Sequence, residues 1–355
     1  MSEFDVGLIG AGHISETHLK AWQRARGCRV TGIFDLDRES AQRRAERFGI
    51  DRVYDDLDAM LDAVQVVDIC TPPATHAGLL RQAAERRLHI LVEKPVVIWA
   101  AEWDELKPLF EASPGKLGVL HNLQFARSVQ LAKKWVAKGR IGRVLRLTRR
   151  FLTSPQGDRM LVGDRHWSHR LPGGRWFETL PHELYLIHSF IGALDLTHVE
   201  ALSSNGAPAG APADEVQLTF AGDGAMATVH YSANCRINHR SLSLHGEEGI
   251  IYLDILGDSA SIHAHGDASW RRAAGNSLLD AGSDLLQSVP DRMAYFTERL
   301  RGASPHFKLI QHYAGWLHGE KDSPTPLDEI EYVVRNSERV GRAIDQRLEA
   351  LGGAR

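Results

Sequence analysis

Between Phe4 and Leu120 the chain alternates short apolar runs with amphipathic segments of helix length, and this alternation restricts the fold more than any other feature. Phe4–Ile9, Arg29–Phe34, Val64–Cys70, His89–Val92 and Lys116–Leu120 read as strands. His13–Arg26, Arg38–Phe48, Thr75–Arg87 and Trp103–Glu111 read as helices. Strands joined through helices run parallel, because each helix carries the chain back to the edge from which the last strand started. Residues 1–122 therefore read as a Rossmann-type domain, a doubly wound α/β fold with helices on both faces of a parallel sheet.

The first strand runs into Gly10-Ala11-Gly12-His13-Ile14-Ser15. Gly10 suits a tight turn, and Gly12 suits close approach of a pyrophosphate to the backbone. The phosphates would sit at the helix N-terminus, where unpaired N–H groups and the helix dipole favour negative charge, which brings in His13 and Ile14. Asp35 ends the second strand, where an acidic residue binds a ribose 2′-hydroxyl. Its carboxylate would repel a 2′-phosphate, so NAD is favoured over NADP, and Arg38 nearby softens the preference.

The chain has 355 residues, enough for two domains, with 43% hydrophobic and 25% charged residues. A net charge of −3 offers no clustered cationic surface for nucleic acid. Cys28, Cys70 and Cys235 are odd in number and far apart, as expected of idle thiols in a reducing compartment. The N-terminus lacks the pattern of a secretory leader, and no apolar run is long enough to span a bilayer. The expected location is cytoplasmic, with no membrane partner.

Beyond Arg143 the pattern changes to strands with tight turns: Val144–Leu152, His198–Ser203, Glu215–Phe220, Ala225–Ser232, Ser241–His245 and Ile250–Ile255. Residues 123–355 are expected to form an α+β domain with one large, mostly antiparallel sheet. Asn205–Pro212 reads as a loop, Arg272–Ser288 as a surface segment, and Asp328–Glu349 as a long helix.

The order GAGHIS, Thr71-Pro72-Pro73, Glu93-Lys94-Pro95 and His121-Asn122 resembles the Gfo/Idh/MocA family of oxidoreductases. Ala137–Gly142 and the pair Gly173-Gly174 extend the resemblance over nearly the whole chain. It implies a Rossmann domain plus an open-faced sheet domain, NAD or NADP as cofactor, and sugars, cyclitols or related polyols as substrates. It also implies homo-oligomers, dimers or tetramers, often formed through that sheet. Lys94 matches the lysine at the nicotinamide–substrate junction, with a Lys–Pro bond that is often cis. Thr71, Pro72, Pro73, Glu93 and Asn122 match cofactor-lining positions. His76 either approaches the dinucleotide or has a capping or solvent-exposed role.

Glu178 and His182 match the family's acid–base pair. Residues at i and i+4 share a helical face, so the carboxylate is expected to orient the imidazole. Tyr185 stands where relatives carry a second Asp, and Pro181 is expected to kink or start the helix. Trp167, His169, Arg175 and Trp176 suit a polyol pocket, and they suit ordinary packing equally. His182-Glu183 is not the start of a zinc motif, because Leu186 replaces the second histidine. His166 and His169, three apart, lack a third ligand, and no metal is expected. The catalytic expectation is reversible hydride transfer between NAD and a hydroxyl-bearing carbon, with Lys94, His182 and Glu178 as catalytic residues. The alternatives are an NAD-dependent glycoside hydrolase of the same fold and a dinucleotide-sensing regulator without turnover.

Overall fold

The computed structural model describes residues 3–352, apart from 155–157, 159, 161–166, 204–212, 264–281, 283–289, 291–292, 294, 299 and 301. The segments 205–212 and 272–288 read above, together with Arg165 and His166, lie largely or wholly outside the described residues. Two compact units result: Met1–Asn122 with Ala303–Arg335, and Leu123–Gly302 with Asn336–Arg355.

In the first unit, strands β1 (Phe4–Ile9), β2 (Cys28–Phe34), β3 (Arg52–Val53), β4 (Val66–Ile69), β5 (His89–Val92) and β6 (Leu117–Val119) form one sheet in the order β3-β2-β1-β4-β5-β6. Every pairing in it is parallel. Helices α1 (Ser15–Trp22), α2 (Arg38–Phe48), α3 (Leu57–Leu61), α4 (His76–Glu85) and α5 (Ala100–Ala112) connect the strands. The order reverses between β1 and β4, the crevice at which open parallel sheets bind ligands.

Local chemistry explains several boundaries. The Asp37 side chain caps α2 by accepting from Ser40 N, and Gly49 ends it in the left-handed region at φ 67°. Central strands such as Val66–Ile69 are buried throughout, as sheets covered on both faces require. Asp68 in that strand is a carboxylate with no solvent exposure.

Residues 303–335, assigned from the sequence to the second domain, belong to the first unit. Helix α8 (Pro305–Leu317) packs on α1, where Gln311 Nε2 donates to Ala21 O at 2.9 Å. Tyr313 lies over β6 and donates to Lys116 O at 3.0 Å; a Cβ on Gly118 would sit 2.7 Å from its ring. Ile330 and Val334, at the start of α9 (Leu327–Gly352), join the apolar core around Val92, Val119 and Trp103. No local signal announces this return, because it rests on contacts nearly 200 residues apart in sequence.

The second unit opens with α6 (Arg127–Ala137) and β7 (Val144–Leu152), followed by α7 (Arg175–Ile191). Strands β8 (Asp195–Leu202), β9 (Glu215–Gly222), β10 (Ala225–Ser232), β11 (His239–Gly246), β12 (Ile250–Asp254) and β13 (Ser259–His263) complete a sheet in the order β13-β12-β11-β7-β10-β9-β8. All of its pairings except β7 with β10 are antiparallel. Leu147, Phe151, Val229, Tyr231, Leu242 and Leu244 fill the face beneath α7, while Thr148, Arg150, Thr228 and Ser243 alternate onto the open face.

Helix α7 starts at Arg175 rather than at Pro181, which lies inside it. Gly173 and Gly174 turn the chain into it at φ 69° and 65°, a conformation in which any side chain is strained. Among the described residues, no helix is long and apolar enough to cross a membrane.

Thr325 Oγ1 accepts from the Val119 N–H at 2.9 Å, in a site with 1% exposure. Replacing it with valine leaves a buried donor unpaired. Thr325→Val is expected to lower stability by about 1–3 kcal/mol in urea unfolding, with the midpoint moving and the slope unchanged.

Candidate active site

In the first unit, the glycine turn sits at the carboxyl end of β1. Gly10 has φ 100°, and a Cβ there would lie 3.0 Å from the Cys70 carbonyl, so glycine is required both by conformation and by space. A Cβ on Gly12 would meet nothing within 4 Å, which leaves the turn open on the side where α1 begins. The first turn of α1 has no side-chain cap, so the amides ahead of Thr17 remain available to a ligand. These features fit a pyrophosphate, and His13 is exposed beside them while Ile14 is half-buried.

Two side chains brace the turn. Asp35 Oδ2 accepts from Ala11 N at 2.6 Å and Oδ1 from Asp37 N at 2.7 Å, which fixes the carboxylate at the rim. Arg44 donates to Gly12 O at 3.3 Å, Ser15 Oγ at 3.1 Å and Glu16 Oε2 at 3.0 Å. Arg38 pairs with Asp55.

The loop after β4 carries Thr71, Pro72 and Pro73. His76 is fully buried, with one ring nitrogen 2.8 Å from Thr71 O and the other 2.9 Å from Pro95 O. Burial lowers its pKa. His76 therefore lies between the β4 loop and the Lys94–Pro95 bond, which is cis, and its neutral ring can donate to only one of the two carbonyls. Full burial contradicts a solvent-exposed role, and the helix that His76 opens has no side-chain cap.

Lys94 is half-buried and follows Glu93, whose carboxylate turns inward. Glu93 Oε2 accepts from Lys94 N at 3.1 Å, and Oε1 lies 3.0 Å from His18 Nε2. His18 Nδ1 lies 2.9 Å from Asp68 Oδ2, and Trp22 Nε1 donates to the same oxygen at 2.7 Å. Burial alone would depress the His18 pKa, but the Asp68 carboxylate outweighs it and holds it well above the ordinary value. Glu93, despite its own burial, is held down to about 2 by His18. His306, on α8, stands 3.8 Å from Glu93, accepts from the Asn122 amide at 3.2 Å, and is pushed down to about 4 by burial. Asn122 thus faces a histidine of the same unit.

In the second unit, His182 Nδ1 lies 2.7 Å from Tyr185 Oη, which accepts from Leu123 N at 2.9 Å. Glu178 Oε2 instead accepts from Arg175 at 2.7 Å, and Arg175 also spans to Asp158 at 2.8 Å. The partner of His182 expected at i−4 is met at i+3 by a phenol. Arg175, with 4% exposure, is locked between two carboxylates and is not a surface for substrate. Trp176 is core: it has no exposure, stacks on Tyr231 at 4.9 Å and donates to Ala213 O. Trp167 and His169 are half-buried in a short 3-10 turn, with His169 Nε2 2.7 Å from Met160 O.

His18, Asp68, His306 and Arg44 were not singled out in the sequence, and neither the contact of Cys70 with His18 nor that of Tyr185 with His182 was expected. The available signal was a histidine and an aspartate on the apolar faces of α1 and β4, where an unpaired charge is costly.

Comparison with known proteins fits this geometry. Residues 4–121 match the GFO_IDH_MocA model, an oxidoreductase family with an NAD-binding Rossmann fold, and residues 129–252 match the GFO/IDH/MocA C-terminal domain. The chain belongs to the Gfo/Idh/MocA family, and its first unit is that family's NAD-binding Rossmann domain. It is 31% identical over 144 residues to a D-apiose dehydrogenase of Paraburkholderia graminis, covering 40% of this chain and 38% of that one. It is 33% identical over 159 residues to a levoglucosan dehydrogenase of Pseudarthrobacter phenanthrenivorans, covering 41% and 40%. The matched stretches thus span about two fifths of these relatives' length. Among solved structures, the WlbA dehydrogenase of Bordetella pertussis, in complex with NADH and UDP-GlcNAcA, superposes with a TM-score of 0.78 over 97% of this chain and 96% of its own, at 18% identity. At that identity the likeness is one of fold.

The first unit's histidines give stability a definite pH dependence. Between pH 4 and 6.5 the unfolded chain binds a proton that folded His306 refuses, so stability rises with pH across that window. Glu93 adds stability that is complete above its ordinary 4.5 and is lost as pH falls toward about 2. His18 has the opposite sign: its contribution is complete below its ordinary 6.5 and is lost as pH climbs through its raised value. Urea unfolding at several pH values from 4 to 6.5 should show wild type gaining stability. His306→Gln should flatten that gain by up to about 1.4 kcal/mol per pH unit.

Proposed function

We propose that this protein is an NAD-dependent dehydrogenase that oxidises a hydroxyl-bearing carbon of a sugar, amino sugar, cyclitol or related polyol, and runs in reverse as a reductase. The observation that carries the reading is the open turn Gly10–Gly12 at the uncapped start of α1, with the Asp35 carboxylate beside it. Family membership supports the chemistry, and the D-apiose and levoglucosan dehydrogenases support the substrate class.

Gly10, Gly12, His13 and Ile14 would hold the pyrophosphate, and Asp35 the adenosine ribose. Thr71, Pro72, Pro73, Glu93, Lys94 and Asn122 would line the nicotinamide end. Bound NAD supplies the hydride acceptor. NAD is preferred to NADP because Asp35 is an acceptor at the rim and Arg38 is already paired.

His182 takes the hydroxyl proton. To accept at Nε2, its ring must carry the proton on Nδ1 and donate it to Tyr185 Oη. That oxygen has two lone pairs, one for His182 and one for Leu123 N–H. Tyr185 thereby takes the orienting role expected of Glu178, and Glu178 acts indirectly by bracing Arg175 at the start of α7. Lys94 donates to the oxygen as negative charge develops on it. Trp167 and His169 remain as substrate contacts. The reading also includes a cytoplasmic site of action and a homo-oligomer, dimer or tetramer, which light scattering would test.

A panel of sugars, amino sugars and cyclitols with NAD should reveal a substrate through NADH absorbance. Net NADH also separates a dehydrogenase from a glycosidase that returns the hydride. With that substrate, His182→Ala should lower kcat by about 10²–10⁴-fold and Lys94→Ala by about 10²–10³-fold. NAD affinity measured separately should change far less. Near-normal turnover in both variants would refute the assignment. Tyr185→Phe should retain the fold and lose less activity than His182→Ala.

A further inference from the structure

The carboxyl ends of β4 and β5 hold a charge cluster that hydride transfer itself leaves unused. His18 projects from α1 with each ring nitrogen on a carboxylate, Nδ1 2.9 Å from Asp68 and Nε2 3.0 Å from Glu93. Carboxylates only accept, so both contacts are hydrogen bonds only when the ring carries both protons. The surrounding groups agree with that state. Trp22 of α1 donates to Asp68. Cys70 Sγ lies 3.2 Å from Nδ1, and its thiol stays protonated because burial pushes it up to about 12. His306 of α8, 3.8 Å from Glu93, receives the Asn122 amide and is neutral at physiological pH. Two buried carboxylates thus share one buried cation.

We propose that Asp68, His18 and Glu93 form a positioning triad that keeps the Glu93 carboxylate ionised on the Lys94 N–H. The triad thereby ties the helix that follows the glycine turn to the turn that presents Lys94. Glu93 is the shared element, with one oxygen on His18 and the other on the Lys94 amide. The proposal rests on the reading of this unit as the NAD site.

His18→Gln tests it. Glutamine fills similar space but supplies no cation, so Asp68 and Glu93 cannot both ionise at low cost. One of them then retains a proton at low pH and gives it up as pH rises. The readout is NAD⁺ affinity, by calorimetry, from about pH 6 to about pH 9. Wild type should vary less than about threefold, and His18→Gln should bind about tenfold or more weakly at the low end and recover as pH rises and the carboxylate ionises. The double variant His18→Gln/Asp68→Asn removes one charge of each sign and should restore a pH-independent affinity.

A packing role would instead lower affinity equally at every pH and would gain nothing from the second change; that pattern overturns the proposal. So does a His18→Gln variant indistinguishable from wild type. If His18→Gln alone fails to fold, a folded and NAD⁺-binding double variant supports the triad, and failure of both overturns it.

Failure of the underlying reading looks different, because wild type would then bind no NAD⁺. The triad is still tested in that case by NMR of ¹³C-labelled histidine. His18 should show imidazolium shifts at pH values above the ordinary histidine value of 6.5, and a neutral ring there would refute the charge assignment. One equivalent of zinc copurifying with wild type would also overturn it, because Nδ1 cannot hold a proton and a metal together.

Discussion

A parallel sheet covered on both faces leaves its chemistry one place to go. Its strands are apolar and buried, so polar side chains collect at the carboxyl edge, where the loops leave for the helices. In the first unit the glycine turn follows β1, Asp35 follows β2, the Thr-Pro-Pro loop follows β4, and Glu93 and Lys94 follow β5. These positions are up to 84 residues apart in the chain, yet they are brought together by strand order alone. The rest of the unit serves that edge. His76 lies between two of its loops, and Arg44 and Asp35 hold the glycine turn from the neighbouring strand and helix.

What was legible in the sequence follows from how local each signal is. The alternation of strands and helices is local, and so are the glycine turn and the acidic end of β2. The parallel first sheet and the mostly antiparallel second sheet match the expectation from them, while the two-residue strand Arg52–Val53 was not read. The return of residues 303–335 to the first unit was not legible. It depends on Tyr313 lying against Gly118 and on Thr325 meeting Val119, pairings that no periodicity encodes.

The site divides in the same way. Spacing on a helix identified Glu178 and His182 as neighbours at i and i+4, but it could not weigh the competitors for each. Arg175 stands three residues before Glu178 and offers a charged donor, so it takes the carboxylate. Tyr185 stands three residues after His182 and is anchored by Leu123 N–H, so it takes the imidazole. Trp176 illustrates the related error for aromatics. Its ring sits on the helix face that meets Tyr231 and the sheet, where burial of a large apolar surface is worth more than exposure to a ligand.

Each unit also buries an ion cluster, and the two differ in kind. In the second unit Arg149 pairs with Glu183 at 2.6 Å beneath α7, and burial raises the Glu183 pKa despite its partner. The guanidinium's planar fork also donates to the Arg150 and Ser241 carbonyls, so that pair braces the helix against the sheet. In the first unit the cation is a histidine, which holds its second proton only because two carboxylates face it. Buried ion pairs contribute little net stability once desolvation is counted, so their persistence is better explained by the geometry they impose. A brace that must survive every protonation state is built from arginine. One that shares its carboxylate with the amide of a lysine at the reactive edge is built here from histidine, and its integrity is set by the balance of charges around a single ring.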